Sequence, residues 1–256
     1  MKVTILGSGS AAGVPSVSGG WGKCDPHNPK NRRSRASILV EEGPVTLLID
    51  TSPDLRHQML AANLRHVDAV LFTHAHADHI HGIDELRELT RISKAPVPSY
   101  ATAETMELLE TRFGYVFKGI PPGAPYFRPW LTPNIFTAGD RFDVAGITVE
   151  CFRQDHGFSE TVGFRFGDFA YSTDVISMPP ESIAVLKGVK LWILGVLSDV
   201  AYPTHVHVEE ALRWVDEVKP ERCVFTHMSN ALDFDDLSAH LPAHVSPAWD
   251  GRVLEV

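Results

Sequence analysis

Cysteine is scarce in this chain. Its three copies, Cys24, Cys151 and Cys223, are odd in number and far apart, which argues against a disulfide scaffold and fits a reducing compartment. Excess positive charge is lacking as well: 23 Lys and Arg stand against 32 Asp and Glu, a formal net charge of −9. That balance opposes nonspecific nucleic-acid binding, which depends on cations neutralising phosphates. A small anionic substrate stays compatible with it where metal ions supply the positive charge. No apolar run reaches membrane-spanning length. The apolar stretch from Val3 to Leu6, cut off by Gly7-Ser8-Gly9-Ser10, is too short for a signal peptide. The expectation is a cytoplasmic protein with no membrane partner. Short-period repeats, low-complexity tracts and linkers between independent domains are missing too.

What is present is an ordinary globular composition, 44% hydrophobic and 21% charged over 256 residues, enough to bury a substantial core. Apolar runs predict strands at 3–6, 37–41, 46–49 and 69–72. Ser52-Pro53 predicts a helix start with Ser52 as N-cap and Leu55, Met59, Leu60 and Leu64 facing inward. Helices over 84–90 and 103–113 follow. Segment 114–133 holds five prolines, three glycines and five aromatic residues, which reads as a long irregular excursion, either a lid or a dimer contact. A second group of strands is predicted at 147–152, 162–166, 169–172, 191–194 and 223–225. Helices at 180–186, 208–218 and near Leu237, then a last strand near the C-terminus, complete it. Strands first, helices interspersed, and the scheme run twice predict an α/β (α+β) architecture: two sheets face to face with helices outside, a four-layer αββα sandwich forming one domain over 1–256.

The chemistry concentrates in Thr73-His74-Ala75-His76-Ala77-Asp78-His79-Ile80-His81. An even spread of the thirteen histidines would put about 0.4 in any eight-residue window, yet 74–81 holds four. A strand ending near Thr73 releases the chain into a turn where side chains two apart converge on one point and Asp78 and His79 reach a neighbouring one. Neutral imidazoles and carboxylates suit zinc and similar divalent ions. The competing reading is a solvated turn in which Asp78 merely caps the following helix. The paired helical histidines of zinc proteases are excluded, because His-Glu-x-x-His is absent. Further ligands must come from elsewhere, and His156, Asp174 and His227 each follow a predicted strand. Gly7, Gly9 and Ala12 match a loose dinucleotide fingerprint, but Val14-Pro15 and Gly19, Gly20 and Gly22 preclude the helix it requires.

With His-x-His-x-Asp-His intact at 74–79, the sequence resembles the metallo-β-lactamase superfamily over nearly its whole length. The resemblance implies one metal held by His74, His76 and His156, a second by Asp78, His79 and His227, and Asp174 bridging both. The two divalent ions would be zinc, with manganese as the alternative. Leu6-Gly7-Ser8-Gly9-Ser10, the stretch from Leu48 through Asp50 to Asp54, and Thr226-His227-Met228 resemble a narrower branch, the phosphoribosyl cyclic phosphodiesterases, related to ribonuclease Z. That likeness implies a small phosphate-ester substrate opened by a metal-bridging hydroxide. His205 would stabilise charge or protonate the leaving oxygen, and Asp78 would orient the hydroxide. Hydrolysis of another ester, thioester or lactam, tRNA 3′-processing and a noncatalytic metal- or nucleotide-binding module are the rival expectations. The module is disfavoured by the intact ligands, and tRNA by the charge and by the lack of a tRNA-gripping arm.

Other residues admit two readings. Asp50 would hydrogen-bond a ligating imidazole or fix the turn before Pro53. His207 either shares the catalytic role of His205 or is a solvent-exposed or capping group, the second being the preferred reading, and His81 is read as a helix-surface residue. Arg32, Arg33 and Arg35 form either a phosphate-holding cluster or a solvated turn. Some members of the branch carry a structural zinc on clustered cysteines and a histidine three residues beyond the position of His227. Here only Cys24 remains, beside His27, and Asn230 occupies the later position. Gly195 stands where the branch leads one to expect an acidic residue.

Overall fold

The computed structural model describes residues 1–120 and 128–256. Strands β1 (Lys2–Gly7), β2 (Ser37–Glu42), β3 (Val45–Ile49), β4 (Ala69–Leu71), β5 (Val97–Thr102) and β6 (Leu131–Phe136) build a first sheet. A second sheet contains β7 (Arg141–Val144), β8 (Ile147–Asp155), β9 (Glu160–Phe166), β10 (Phe169–Ser172), β11 (Leu191–Gly195), β12 (Arg222–Thr226) and β13 (Val245–Pro247). The last strand, β14 (Val253–Glu255), returns to the first sheet beside β1, so each sheet has seven strands. The two are built alike. From β14 to β3, and from β7 to β10, neighbours run antiparallel; from β3 to β6, and from β10 to β13, they run parallel.

Strand periodicity decides the layering. Leu47 and Ile49 of β3, with Ala69 and Leu71 of β4, share a central core with Phe164, Phe166 and Tyr171 of the opposite sheet. Leu48 and Val70, one residue out of phase, turn to the outer face. There they meet Leu55 and Met59 of α1 (Leu55–Ala61), Ile80 of α2 (Ala77–Ile80), Leu86 and Leu89 of α3 (Leu86–Ser93), and Met106 and Leu109 of α4 (Ala103–Phe117). Both faces of these strands are buried, which is why they read as continuous apolar runs. Behind the second sheet, Ile183 and Leu186 of α5 (Pro180–Leu186), Trp214 and Val215 of α6 (Val208–Val218) and Leu237 of α7 (Phe234–His240) complete the fourth layer. The αββα sandwich is present as expected. No helix among the described residues is long and apolar enough to cross a membrane.

Local expectations need correction in two places. Helix α1 begins at Leu55, not at Ser52-Pro53; the Ser52 hydroxyl accepts from Asp54 N at 3.2 Å, and Leu60 is 58% exposed. The segment 114–133 is not irregular throughout, for α4 runs on to Phe117 and β6 starts at Leu131. Strand β6 escapes a pattern search because Pro133 interrupts it, which an edge strand tolerates. Residues 121–127, and with them the question of a lid or dimer contact, lie outside the described residues.

Candidate metal centre

The parallel strands of both sheets end at one rim, and the site is built on the turns that follow them together with the turn after the antiparallel strand β8. Asp50 follows β3, His74 and His76 follow β4, His156 follows β8, Asp174 follows β10, His205 lies between β11 and α6, and His227 follows β12. Short helix α2 carries Asp78 and His79. Asp50, Asp174 and His227 have φ of 62, 48 and 56°, the left-handed region that Asp and His tolerate better than most side chains. That turn swings each side chain off its strand end towards the rim.

Two groups of ligand atoms result, each within 4.8 Å of one another: His74, His76, His156 and Asp174, and Asp78, His79, Asp174 and His227. Asp174 belongs to both and divides its oxygens between them. Its Oδ2 lies 3.7 Å from His74 Nε2 and 3.6 Å from His156 Nε2. Its Oδ1 lies 3.1 Å from both His79 Nε2 and His227 Nε2. Asp78 Oδ2 closes the second group at 3.2 Å from His79 and 3.3 Å from His227. The structure thus gathers every residue that the sequence put forward as a ligand. It also brings His205 to them: Nε2 is 3.1 Å from Asp174 Oδ2, and the ring stacks on His227 with centroids 5.1 Å apart while meeting His156 edge-on at 4.6 Å.

The surrounding hydrogen bonds show which nitrogen faces the centre. Asp50, fully buried, accepts from Thr73 N and Thr73 Oγ1 at 2.8 Å each and from His79 Nδ1 at 2.7 Å. The Thr73 hydroxyl has given its proton to Asp50, so its oxygen accepts from His74 Nδ1 at 3.0 Å. Asp50 thereby orients His79 directly and His74 through Thr73, which decides its two readings for the imidazole. His156 Nδ1 donates to Thr204 O at 2.7 Å. His74, His79 and His156 therefore all turn Nε2 inward; the buried Nε2 of His74 has no hydrogen-bond partner, and that of His79 faces only the Asp78 and Asp174 oxygens. Such buried nitrogens beside two carboxylates are the donor set that divalent cations take, so the residues fit such ions.

Electrostatics agrees. Burial opposes charge on Asp174, yet His227 and His79 beside it hold its carboxyl well below the usual range. Burial, reinforced by His79, pushes His74 well below an ordinary imidazole, which keeps it neutral and its lone pair free. His79 is the exception. Burial would lower it, but Asp174, Asp78 and Asp50 outweigh that and raise it well above the usual value.

A family model described as the beta-lactamase superfamily domain matches residues 46–228. The chain belongs to the metallo-β-lactamase superfamily. Within this superfamily it is related to the PhnP family. The crystal structure of a diphosphatase from that family is 32% identical, covers 100% of this chain and 97% of its own, and superposes with a TM-score of 0.90. An octanoyltransferase from Porphyromonas gingivalis is 33% identical over 98% of this chain but only 51% of its own length. The chain spans about half the length of the curated relatives it matches. Zn2+-bound PqqB from Methylobacterium extorquens, 23% identical with full coverage of both chains, shares the fold at a TM-score of 0.76.

Other expectations resolve locally. Arg33 is 2% exposed and donates to Ser229 O and Asn31 Oδ1 at 3.1 Å each, Arg35 pairs with Asp54 at 2.9 Å, and Arg32 lies over the Trp21 ring, so the three arginines form no common phosphate cradle. A Cβ on Gly195 would sit 3.1 Å from Thr173 Cα and 3.3 Å from Asp174 N, so glycine there lets the Asp174 turn pack onto β11. His81 is exposed with its ring against Phe113, away from both groups. Sequence reasoning missed Thr73 and Thr204, whose only signal is a hydroxyl residue immediately before His74 and His205.

Proposed function

We propose that the protein is a dinuclear metal-dependent phosphodiesterase acting on a small cyclic or nucleotide-like phosphoester. The observation that supports it is the division of Asp174, one oxygen towards each histidine group. His74, His76, His156 and Asp174 would hold one cation, and Asp78, His79, His227 and Asp174 the second. Zinc suits the imidazole-rich set, and manganese the carboxylates. Such a pair activates water near neutral pH and neutralises charge on phosphoryl oxygens. Asp50 keeps His74 and His79 oriented, Asp78 orients the attacking water, and His205 presents Nε2 to an oxygen of the substrate held beside Asp174. The diphosphatase relationship supports phosphorus as the electrophile, and a net charge of −9 favours a small substrate over tRNA.

A second reading, hydrolysis of an ester or thioester, is favoured by the match to the octanoyltransferase. Turnover of bis(p-nitrophenyl) phosphate, octanoyl-coenzyme A and a chromogenic β-lactam by zinc- and manganese-loaded protein separates the two. The phosphodiesterase reading expects turnover of the first substrate, and activity confined to the thioester would replace it with the second.

A further inference from the structure

We propose that Thr204 is a positioning residue for two histidines at once: its carbonyl fixes His156 with the Nε2 lone pair turned to the first metal group, and its hydroxyl, together with Asp174 at the other end of the ring, holds His205 with an Nε2–H directed at Asp174. The use made of that N–H rests on the phosphodiesterase reading; the tautomers do not. Thr204 O lies 2.7 Å from His156 Nδ1, and a carbonyl only accepts, so the proton is on Nδ1 and Nε2 keeps its lone pair. Thr204 Oγ1 lies 2.8 Å from His205 Nδ1, where a hydroxyl can play either part. The contact with Asp174 shows which part it plays, and the two ends of the ring hold the tautomer jointly. Asp174 Oδ2 is 3.1 Å from His205 Nε2, and a lone pair there would face a carboxylate oxygen, whereas an N–H donates to it. The proton is on Nε2, and the Thr204 hydroxyl donates to Nδ1.

The loop that carries Thr204 is fixed on both sides. A Cβ on Gly157 would lie 2.9 Å from Pro203 O and 3.1 Å from Thr204 Cγ2, so the turn after His156 packs directly on it. Two residues on, Val206 N donates to Val175 O at 2.7 Å, next to Asp174. Thr204 is thus tied through its carbonyl to one metal group and through its hydroxyl to the histidine lying between the two. With substrate bound, the Nε2 proton of His205 points at a phosphoryl oxygen and stabilises its charge.

Long-range proton–nitrogen NMR correlations of the metal-free protein distinguish the two imidazole tautomers, and they are to be compared for wild type, Thr204→Val and Thr204→Ser. Zinc content and turnover of bis(p-nitrophenyl) phosphate accompany them. In wild type and Thr204→Ser, His205 is expected as the Nε2–H form; in Thr204→Val, which keeps shape and carbonyl, it becomes a mixture while His156 stays Nδ1–H. Zinc content is unchanged, and kcat of Thr204→Val falls about tenfold with little change in KM. A His205 tautomer unmoved by Thr204→Val, or a Thr204→Ser variant altered as much as Thr204→Val, overturns the proposal. A protein that shows the tautomer shift but is inactive on the phosphodiester upholds the positioning role and removes the phosphodiesterase reading instead.

Discussion

At the scale of residues, the site is a problem in aiming lone pairs. Asp174 is the hinge, since each oxygen serves a different group. Asp174→Ala is expected to reduce bound transition metal from about two equivalents to fewer than one, counted by elemental analysis after loading and desalting. Asp50→Asn keeps the size of the side chain but places an amide opposite His79 Nδ1, 2.7 Å away in the wild type, and cannot accept on both arms. Competition with a chelator should show cation affinity weakened about 10- to 100-fold, with little loss of fold. The cysteines make a contrast with these aimed groups. Burial pushes the Cys151 thiol up to about 12 and that of Cys223 further still, and Cys24 is raised by burial despite Arg33. At pH 8 a thiol of pKa 12 is ionised at roughly one part in ten thousand, so iodoacetamide should leave Cys151 and Cys223 unmodified in the folded protein and alkylate them in urea. The candidate ligands were legible because histidine density and strand endings both pointed to them. Thr73, Thr204 and the buried Arg33 were not, because their roles depend on which backbone groups lie opposite them, and sequence spacing carries no such information.

At the scale of elements, the rim loops need anchoring, and α7 supplies one anchor. Its N-cap Asp233 accepts from Asp235 N and Asp236 N at 3.0 Å each through Oδ1, and from Asp25 N at 3.0 Å and Asn31 Nδ2 at 2.6 Å through Oδ2. It joins the helix to the N-terminal loop that carries Arg33, whose guanidinium holds Ser229 close to His227. Asp233→Ala should lower stability by about 2 kcal/mol in urea denaturation at neutral pH. Burial opposes the charge on Asp233, but the donors around it hold its carboxyl below the ordinary value. Its contribution is therefore complete above the unfolded value of about 3.9 and is lost as pH falls through the lower folded value, so wild type and variant should converge in acid. Strands whose two faces are both apolar were read within a residue or two. Strands β5 and β6, broken by Pro98 and Pro133, and the short strand β7 were missed because their pairing is decided by neighbouring strands and not by local pattern.

At the scale of the molecule, two similar sheets, each half antiparallel and half parallel, bring their parallel ends to one rim. The duplication was visible in the sequence as a scheme run twice; the meeting of its two halves at Asp174 was implied only by resemblance. A centre shared by both sheets ties cation binding to global stability. Zinc at about one hundred times its dissociation constant should add about 2.7 kcal/mol, a rise in Tm of about 5–10 °C by calorimetry, reversed by chelator. Most direct is anomalous diffraction at the zinc edge from crystals grown with zinc. Two peaks are expected, one among His74, His76 and His156 and one among Asp78, His79 and His227, with Asp174 between them. A single peak, or none within this group of side chains, would contradict the dinuclear centre.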